Sequence, residues 1–139
     1  MKVKTALILC AGFGKRVQPI TDTIPKPLIN YKDETLLENT IKFLIKLKIS
    51  KIKINVFYLK EKIISFIENK NFPINIEIVD VGETILGTGG GILSLINKSD
   101  DEDVLVINPD TIWDDSFISS VIDMENIYFE KKLKIFYWL

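Results

Sequence analysis

The chain has 139 residues, a length that suits one domain and can bury a real core. Lys and Arg number 18 against 19 Asp and Glu, for a net charge of −1, so no basic balance points to nucleic acid or to an anionic membrane surface. Histidine is absent, which excludes histidine general-base and metal chemistry, and the one cysteine, Cys10, excludes an internal disulfide framework.

Thr5 to Leu9 is a short continuous apolar run, as a buried parallel strand presents. The loop from Cys10 to Asn30 is long for a compact domain, and long ordered loops commonly carry function. Leu28-Ile29 is expected as a brief extended piece leading out of it. Glu34 to Leu47 predicts an amphipathic helix, with Leu37, Ile41, Leu44 and Leu47 on one face and Asp33 as its N-cap. Lys46 and Lys48 lie near its C-terminus, where the helix dipole favours cations. Lys51 to Phe57 alternates lysine with Ile52, Ile54 and Val56, a strand signal of period two.

Leu59 to Glu68 predicts a second helix with Ile63, Ile64 and Ile67 facing inward. Pro73 then breaks the chain before a third strand, Asn75 to Val81. Gly87-Thr88-Gly89-Gly90-Gly91 is expected as a second glycine turn, opening a helix that carries Ile92, Leu93, Leu95 and Ile96. Asp100 to Asp103 reads as a solvated acidic turn. Val104 to Ile107 is a fourth buried strand ending at Asn108-Pro109-Asp110, and a final helix is expected from Asp115 to about Phe129. Strands alternating with helices imply βαβ units and a parallel sheet, whose ligand sites lie at the carboxyl ends of the strands. The first glycine loop, the second glycine turn and Asp110 each follow a strand, so they are expected to converge on one edge.

No apolar run approaches the length of a membrane span. The start, Met1-Lys2-Val3-Lys4, is basic, but the apolar part after it is only a strand long and runs into the glycine loop, which is not the pattern of a signal peptide. A cytoplasmic chain with no membrane partner is expected.

The chemistry concentrates between Leu7 and Pro27. Gly12 and Gly14 lack Cβ, so backbone N–H groups there can approach an anion closely. Arg16 offers a planar fork of donors to phosphate oxygens, with Lys15 beside it. Pro25 and Pro27 stiffen the backbone around Lys26 and project its ammonium. The physical reading is a pocket for a polyphosphate. A dinucleotide-binding G-x-G-x-x-G would need glycine at Val17, and a Walker A loop would need glycine at Leu9 and Ser or Thr at Arg16; both fail.

The run Gly12-x-Gly14-x-Arg16-x-x-Pro19-x-Thr21-x-x-x-Pro25-Lys26-Pro27 resembles the signature of the sugar-1-phosphate nucleotidyltransferases. Cys10 stands where many members have a small residue such as alanine. Glu83-x-x-Leu86-Gly87-Thr88-Gly89-Gly90-Gly91 is similar to the family's second motif, which contacts base and ribose. Its triple glycine most resembles the branch that activates N-acetylmuramate 1-phosphate with UTP, with mannose-1-phosphate guanylyltransferases close by. Asp110 matches the family's metal-binding aspartate, a natural Mg²⁺ ligand beyond a buried strand, with Pro109 replacing the usual glycine. Asn55 matches a position near the base pocket.

The resemblance implies a Rossmann-like, mostly parallel α/β sheet with flanking helices, of the nucleotide-diphospho-sugar transferase type. It implies Mg²⁺ as cofactor, an NTP and a sugar 1-phosphate as substrates, and UTP favoured over GTP or dTTP. Arg16 and Lys26 would be catalytic; Ala11, Gly12, Gly14, Lys15, Asn55, Gly87, Thr88 and Gly89 would bind nucleotide. The resemblance reaches about Lys132 but covers only the first half or so of the family's domain. Later strands, which bind the sugar phosphate and carry a second metal-binding aspartate, have no counterpart in this sequence. A domain incomplete at its C-terminus is therefore expected, ending in the apolar run Leu133 to Leu139, with an open sheet edge prone to self-association. Two further readings differ in class: a non-catalytic nucleotide-binding module, and a GT-A-type glycosyltransferase, against which Pro25-Lys26-Pro27 argues.

Overall fold

The computed structural model describes residues 1–82 and 87–131. In chain order the strands are β1 (Thr5–Leu9), β2 (Asn30–Tyr31), β3 (Glu34–Thr35), β4 (Lys51–Val56), β5 (Asn75–Asp80) and β6 (Val104–Ile107). The helices are α1 (Leu36–Lys46), α2 (Lys60–Lys70), α3 (Gly87–Ile96) and α4 (Phe117–Lys131). Strands β5-β4-β1-β6, in that order, form a four-stranded sheet whose pairings are all parallel, and β2 and β3 form a small antiparallel ribbon. The expected α/β architecture with a parallel sheet is thus present.

The register explains the two layers. Ile78, Ile54, Ile8 and Ile107 lie on one rung across all four strands. Ile54, Ile8 and Ile107 join Leu37 and Ile41 of α1, Ile63 of α2 and Val121 of α4 in the larger core cluster. One residue along, Leu7 and Val106 turn to the opposite face and pack with Val79 of β5 and Leu95 of α3. Period-two alternation along each strand produces the split, and each buried Leu or Ile contributes about 1.5–3 kcal/mol.

The lysines of β4 do not mark a solvent face. Lys53 is 1% exposed, level with Leu7 in the register, and α3 covers that side. Its stem is buried while Nζ reaches the Lys98 carbonyl and ion-pairs with Glu77 at 3.0 Å.

Several boundaries differ from expectation. Helix α1 begins at Leu36 because Glu34 and Thr35 pair with Tyr31 and Asn30. Thr35, not Asp33, is the N-cap, its Oγ1 accepting from the Glu38 N–H at 3.1 Å. Leu28 belongs to a 3-10 turn, Lys26–Leu28, closed by its N–H donating to the Pro25 carbonyl at 2.8 Å; the extended piece starts at Asn30. Helix α2 runs two residues further than predicted, to Lys70; Ile63 is its buried residue, while Ile64 and Ile67 are half-buried. Strand β5 stops at Asp80 rather than Val81, and α4 starts at Phe117 rather than Asp115.

Gly87 to Gly91 is not a turn before a helix: these residues are the first turns of α3 itself. The acidic run is tied down at two points. Asp101 accepts from the Thr5 hydroxyl and Asp103 from the Tyr128 hydroxyl, each at 2.5 Å. Glu83, Leu86 and the expected apolar ending Leu133 to Leu139 lie outside the described residues.

Candidate functional site

A cavity of ≈ 360 Å³ sits at the carboxyl ends of β1 and β6, lined by Leu9 from one strand and Asn108 and Asp110 after the other. The chain leaves β1 toward β4 on one side, while β6 lies on the other, so the cavity occupies the switch point of the sheet. The loop after β1 contributes Ala11, Gly12, Gly14, Lys15 and Arg16; the prolyl turn contributes Lys26; β4 contributes Asn55; and α3 contributes Gly87 and Thr88. Of the residues named from sequence, Gly89 alone does not line it among the described residues.

The two glycines of the first loop are required for different reasons. Gly14 has φ +64°, and a Cβ there would meet Thr21 Cγ2 at 2.9 Å and Lys26 Cβ at 3.2 Å. It is glycine so that the loop can fold onto its own later residues. A Cβ at Gly12 would meet nothing within 4 Å, so its backbone is open to an approaching group. Thr21 is buried, and its hydroxyl donates to the Gly14 carbonyl at 2.9 Å. Its contribution was missed from sequence, although it holds a fixed place in the Pro19-x-Thr21 part of the signature.

Asn55 ties the first loop to α3. Its Oδ1 accepts from the Cys10 N–H at 2.8 Å, fixing where the chain leaves β1. Its Nδ2 would lie only 2.7 Å from a Cβ on Gly91, so the last of the three glycines lets α3 approach this amide. Asn55 therefore fixes the first loop and packs closely on α3 as well as lining the cavity.

The charges are Lys15, Arg16, Lys26 and Asp110. Lys26 Nζ lies 2.5 Å from Asp110 Oδ2, with the two side chains 31% and 41% exposed. Lys15 stands over the Phe13 ring at 5.5 Å. Cys10 is buried at the cavity's base, and desolvation pushes its thiol well above the usual range, so it remains a neutral thiol near pH 7 and no nucleophile. Asp114 and Asp115 lie away from the cavity lining: Asp114 is held below the usual carboxylate range by the Ser116 hydroxyl and N–H, and Asp115 pairs with Lys46 at 2.6 Å.

Among the described residues no group of three or more His, Cys, Asp or Glu could hold a metal ion by itself. The cavity lining has one carboxylate, Asp110. That donor set fits Mg²⁺ carried in with a phosphate ligand, since Mg²⁺ usually takes one or two protein carboxylates and completes its octahedron with water and phosphate oxygens. Three cations with one carboxylate, around exposed backbone, form an arrangement whose charge suits a polyanion.

A family model described as Nucleotidyl transferase matches residues 5–134. The protein named Bifunctional protein GlmU of Methanococcus maripaludis is 43% identical over 121 residues, which are 87% of this chain and 28% of that relative. Mannose-1-phosphate guanyltransferase of Debaryomyces hansenii is 32% identical over 114 residues, 80% of this chain and 32% of the relative. Among solved structures, UDP-glucose pyrophosphorylase complexed with UDP-glucose superposes with a TM-score of 0.73 at 23% identity, covering 94% of this chain and 54% of that one. HddC from Yersinia pseudotuberculosis complexed with GMP-PN gives 0.70 at 24% identity, covering 87% and 55%. These structural likenesses show the fold. The chain spans about a third of the curated relatives and half of the solved neighbours.

Proposed function

The chain belongs to the nucleotidyl transferase family, and from that premise we propose that its cavity binds the triphosphate of an NTP and transfers the nucleotidyl group to a sugar 1-phosphate. The observation that carries the reading is the convergence of the Gly12–Arg16 loop, Lys26 and Asp110 on one cavity at the switch point. A phosphate oxygen of the sugar 1-phosphate attacks the α-phosphorus of the NTP; that P–O bond forms as the bond to the β-phosphate breaks, and pyrophosphate leaves. The chain's residues align and neutralise: the Gly12 backbone admits the phosphates, Arg16 grips two oxygens in a plane, and Lys26 supplies a point charge. Asp110 would hold Mg²⁺, which when bound neutralises phosphate charge.

UTP is the first nucleotide to test, on the triple-glycine resemblance, with GTP and dTTP next. The named relatives include a guanyltransferase and a UDP-glucose enzyme, so both bases belong in the panel. A pyrophosphate-release assay across NTPs and sugar 1-phosphates with Mg²⁺ is the test. Turnover with one pair supports the reading, and silence in every combination rejects catalysis by this chain. Calorimetry on Arg16→Ala and Lys26→Ala should show weakened Mg²⁺–NTP binding, and any turnover should fall by about 10²–10³. Parent-like affinity in both variants would overturn the phosphate assignment.

A further inference from the structure

We propose that Tyr58 is a positioning residue for the phosphate loop, an inference that rests on reading that loop as an NTP site. Tyr58 follows β4, is half-buried, and does not line the cavity among the described residues. It touches the loop twice. Its ring lies 5.2 Å from that of Phe13, which also packs edge-on against Phe57 at 5.7 Å. Its hydroxyl donates to the Thr21 carbonyl at 2.9 Å, with the Asp22 carbonyl at 3.4 Å.

These two anchors bracket the segment that carries the cations. Phe13 immediately precedes Gly14, and Thr21 reaches back to Gly14 through its own hydroxyl at 2.9 Å. Gly14 in turn is packed so tightly that a Cβ would strike Thr21 and crowd Lys26. Between the anchors, Arg16 is exposed and its guanidinium makes no hydrogen bond or ion pair among the described residues. Among the described residues, only the backbone that bears Arg16 holds it in place. The backbone is fixed from Tyr58, through Thr21, to Gly14, and Lys26 shares the same contact. Lys62, on the first turns of α2, adds a bond to the Thr23 carbonyl from the same corner. The β4–α2 corner is thus the scaffold against which the loop keeps its shape, and rigid placement of charged donors is what binding a polyphosphate requires.

The test uses calorimetry with Mg²⁺–NTP and with inorganic pyrophosphate on the parent, Tyr58→Phe and Thr21→Val, with thermal unfolding and amide exchange recorded beside it. Tyr58→Phe keeps the ring on Phe13 and removes only the hydroxyl. Loss of one such bond should weaken both ligands by about three- to tenfold. Faster exchange at the Val17 and Gln18 amides, with β1 unchanged, should accompany it. Thr21→Val breaks the chain at its next link, so the double variant should lose less than the product of the two single losses. A lowered melting temperature with pyrophosphate affinity within about twofold of the parent, in either variant, would reduce Tyr58 to a packing residue and overturn the inference. A parent that binds neither ligand would instead reject the NTP site itself.

Discussion

Lys26 and Asp110 neutralise each other across the cavity at 2.5 Å, each side chain about a third exposed or more. An exposed pair of this kind is worth about 0–1 kcal/mol, so on the proposed reading a triphosphate would readily draw Lys26 away. If Asp110 is the metal ligand, the same pair would compete with a bare cation for the carboxylate. Lys26→Met is expected to raise Mn²⁺ uptake by the nucleotide-free chain while lowering its affinity for Mg²⁺–NTP. Paramagnetic titration reads the first effect, and uptake equal to the parent's would show that Lys26 does not guard Asp110. The glycines of α3 provide a second contrast. Gly91→Ala puts a methyl 2.7 Å from the buried Asn55 amide, whose oxygen holds the Cys10 N–H. The expected cost is about 1–3 kcal/mol in urea unfolding, from overpacking and a disturbed buried hydrogen bond. A Cβ at Gly89 meets nothing, so Gly89→Ala should be neutral or stabilise by up to about 1 kcal/mol through helix propensity. Equal effects at both positions would remove Asn55 as the reason for Gly91.

At the scale of elements, Glu38 braces two helices. Its carboxylate pairs with Lys42 one turn along α1 at 3.0 Å and with Lys70 at the end of α2 at 2.7 Å. Burial alone would raise its pKa, but the hydrogen bonds from Lys70 and Lys42 outweigh that and hold it below the ordinary 4.5. A carboxyl depressed in the folded state contributes stability that is present above its unfolded pKa and lost as pH falls through the folded value. Stability should therefore decline below about pH 4.5, and Glu38→Gln should flatten that decline. Urea midpoints across a pH series check this, and an unchanged slope would leave Glu38 without a role in it. Elements set by local pattern were legible before the structure: Thr5–Leu9 and Val104–Ile107 are continuous apolar runs and their limits match. The expected α1 start at Glu34 with Asp33 as cap is misplaced, because the Thr-x-x-Glu spacing of Thr35-Leu36-Leu37-Glu38 is the stronger signal. The helical glycines were not legible, because the close approach of Gly91 to the Asn55 amide of another strand exists only in the fold. The glycine loop and Asp110 could be read because each follows a strand in a parallel sheet, whereas Asn55 lies inside β4 and was named from the family resemblance. The Tyr58–Thr21–Gly14 chain could not, since it exists only once the loop meets the β4–α2 corner.

The whole molecule is lopsided about its sheet. Among the described residues, the larger core cluster has 18 buried members, with α1, α2 and α4 contributing, while the opposite one has 4 and its helix is α3. Strand β1 lies between β4 and β6, whereas β6 pairs with β1 alone among the described residues. Leu105, Val106 and Ile107 are nonetheless buried, and α4, beyond them in the chain, exposes Ile122 and Ile127. Among the described residues β6 keeps one unpaired ladder, and an apolar strand edge of that kind would let a second copy add. Hydrogen exchange in mild denaturant should find β1 the most protected and β6 opening first, because among the described residues half of its ladder has no strand partner. Raising the protein concentration should then increase protection in β6 selectively, while the sedimentation coefficient rises with it. Exchange in β6 that matches β1, in a chain that sediments as a monomer at every concentration, would mean that this edge is closed and that the lopsided sheet needs no partner.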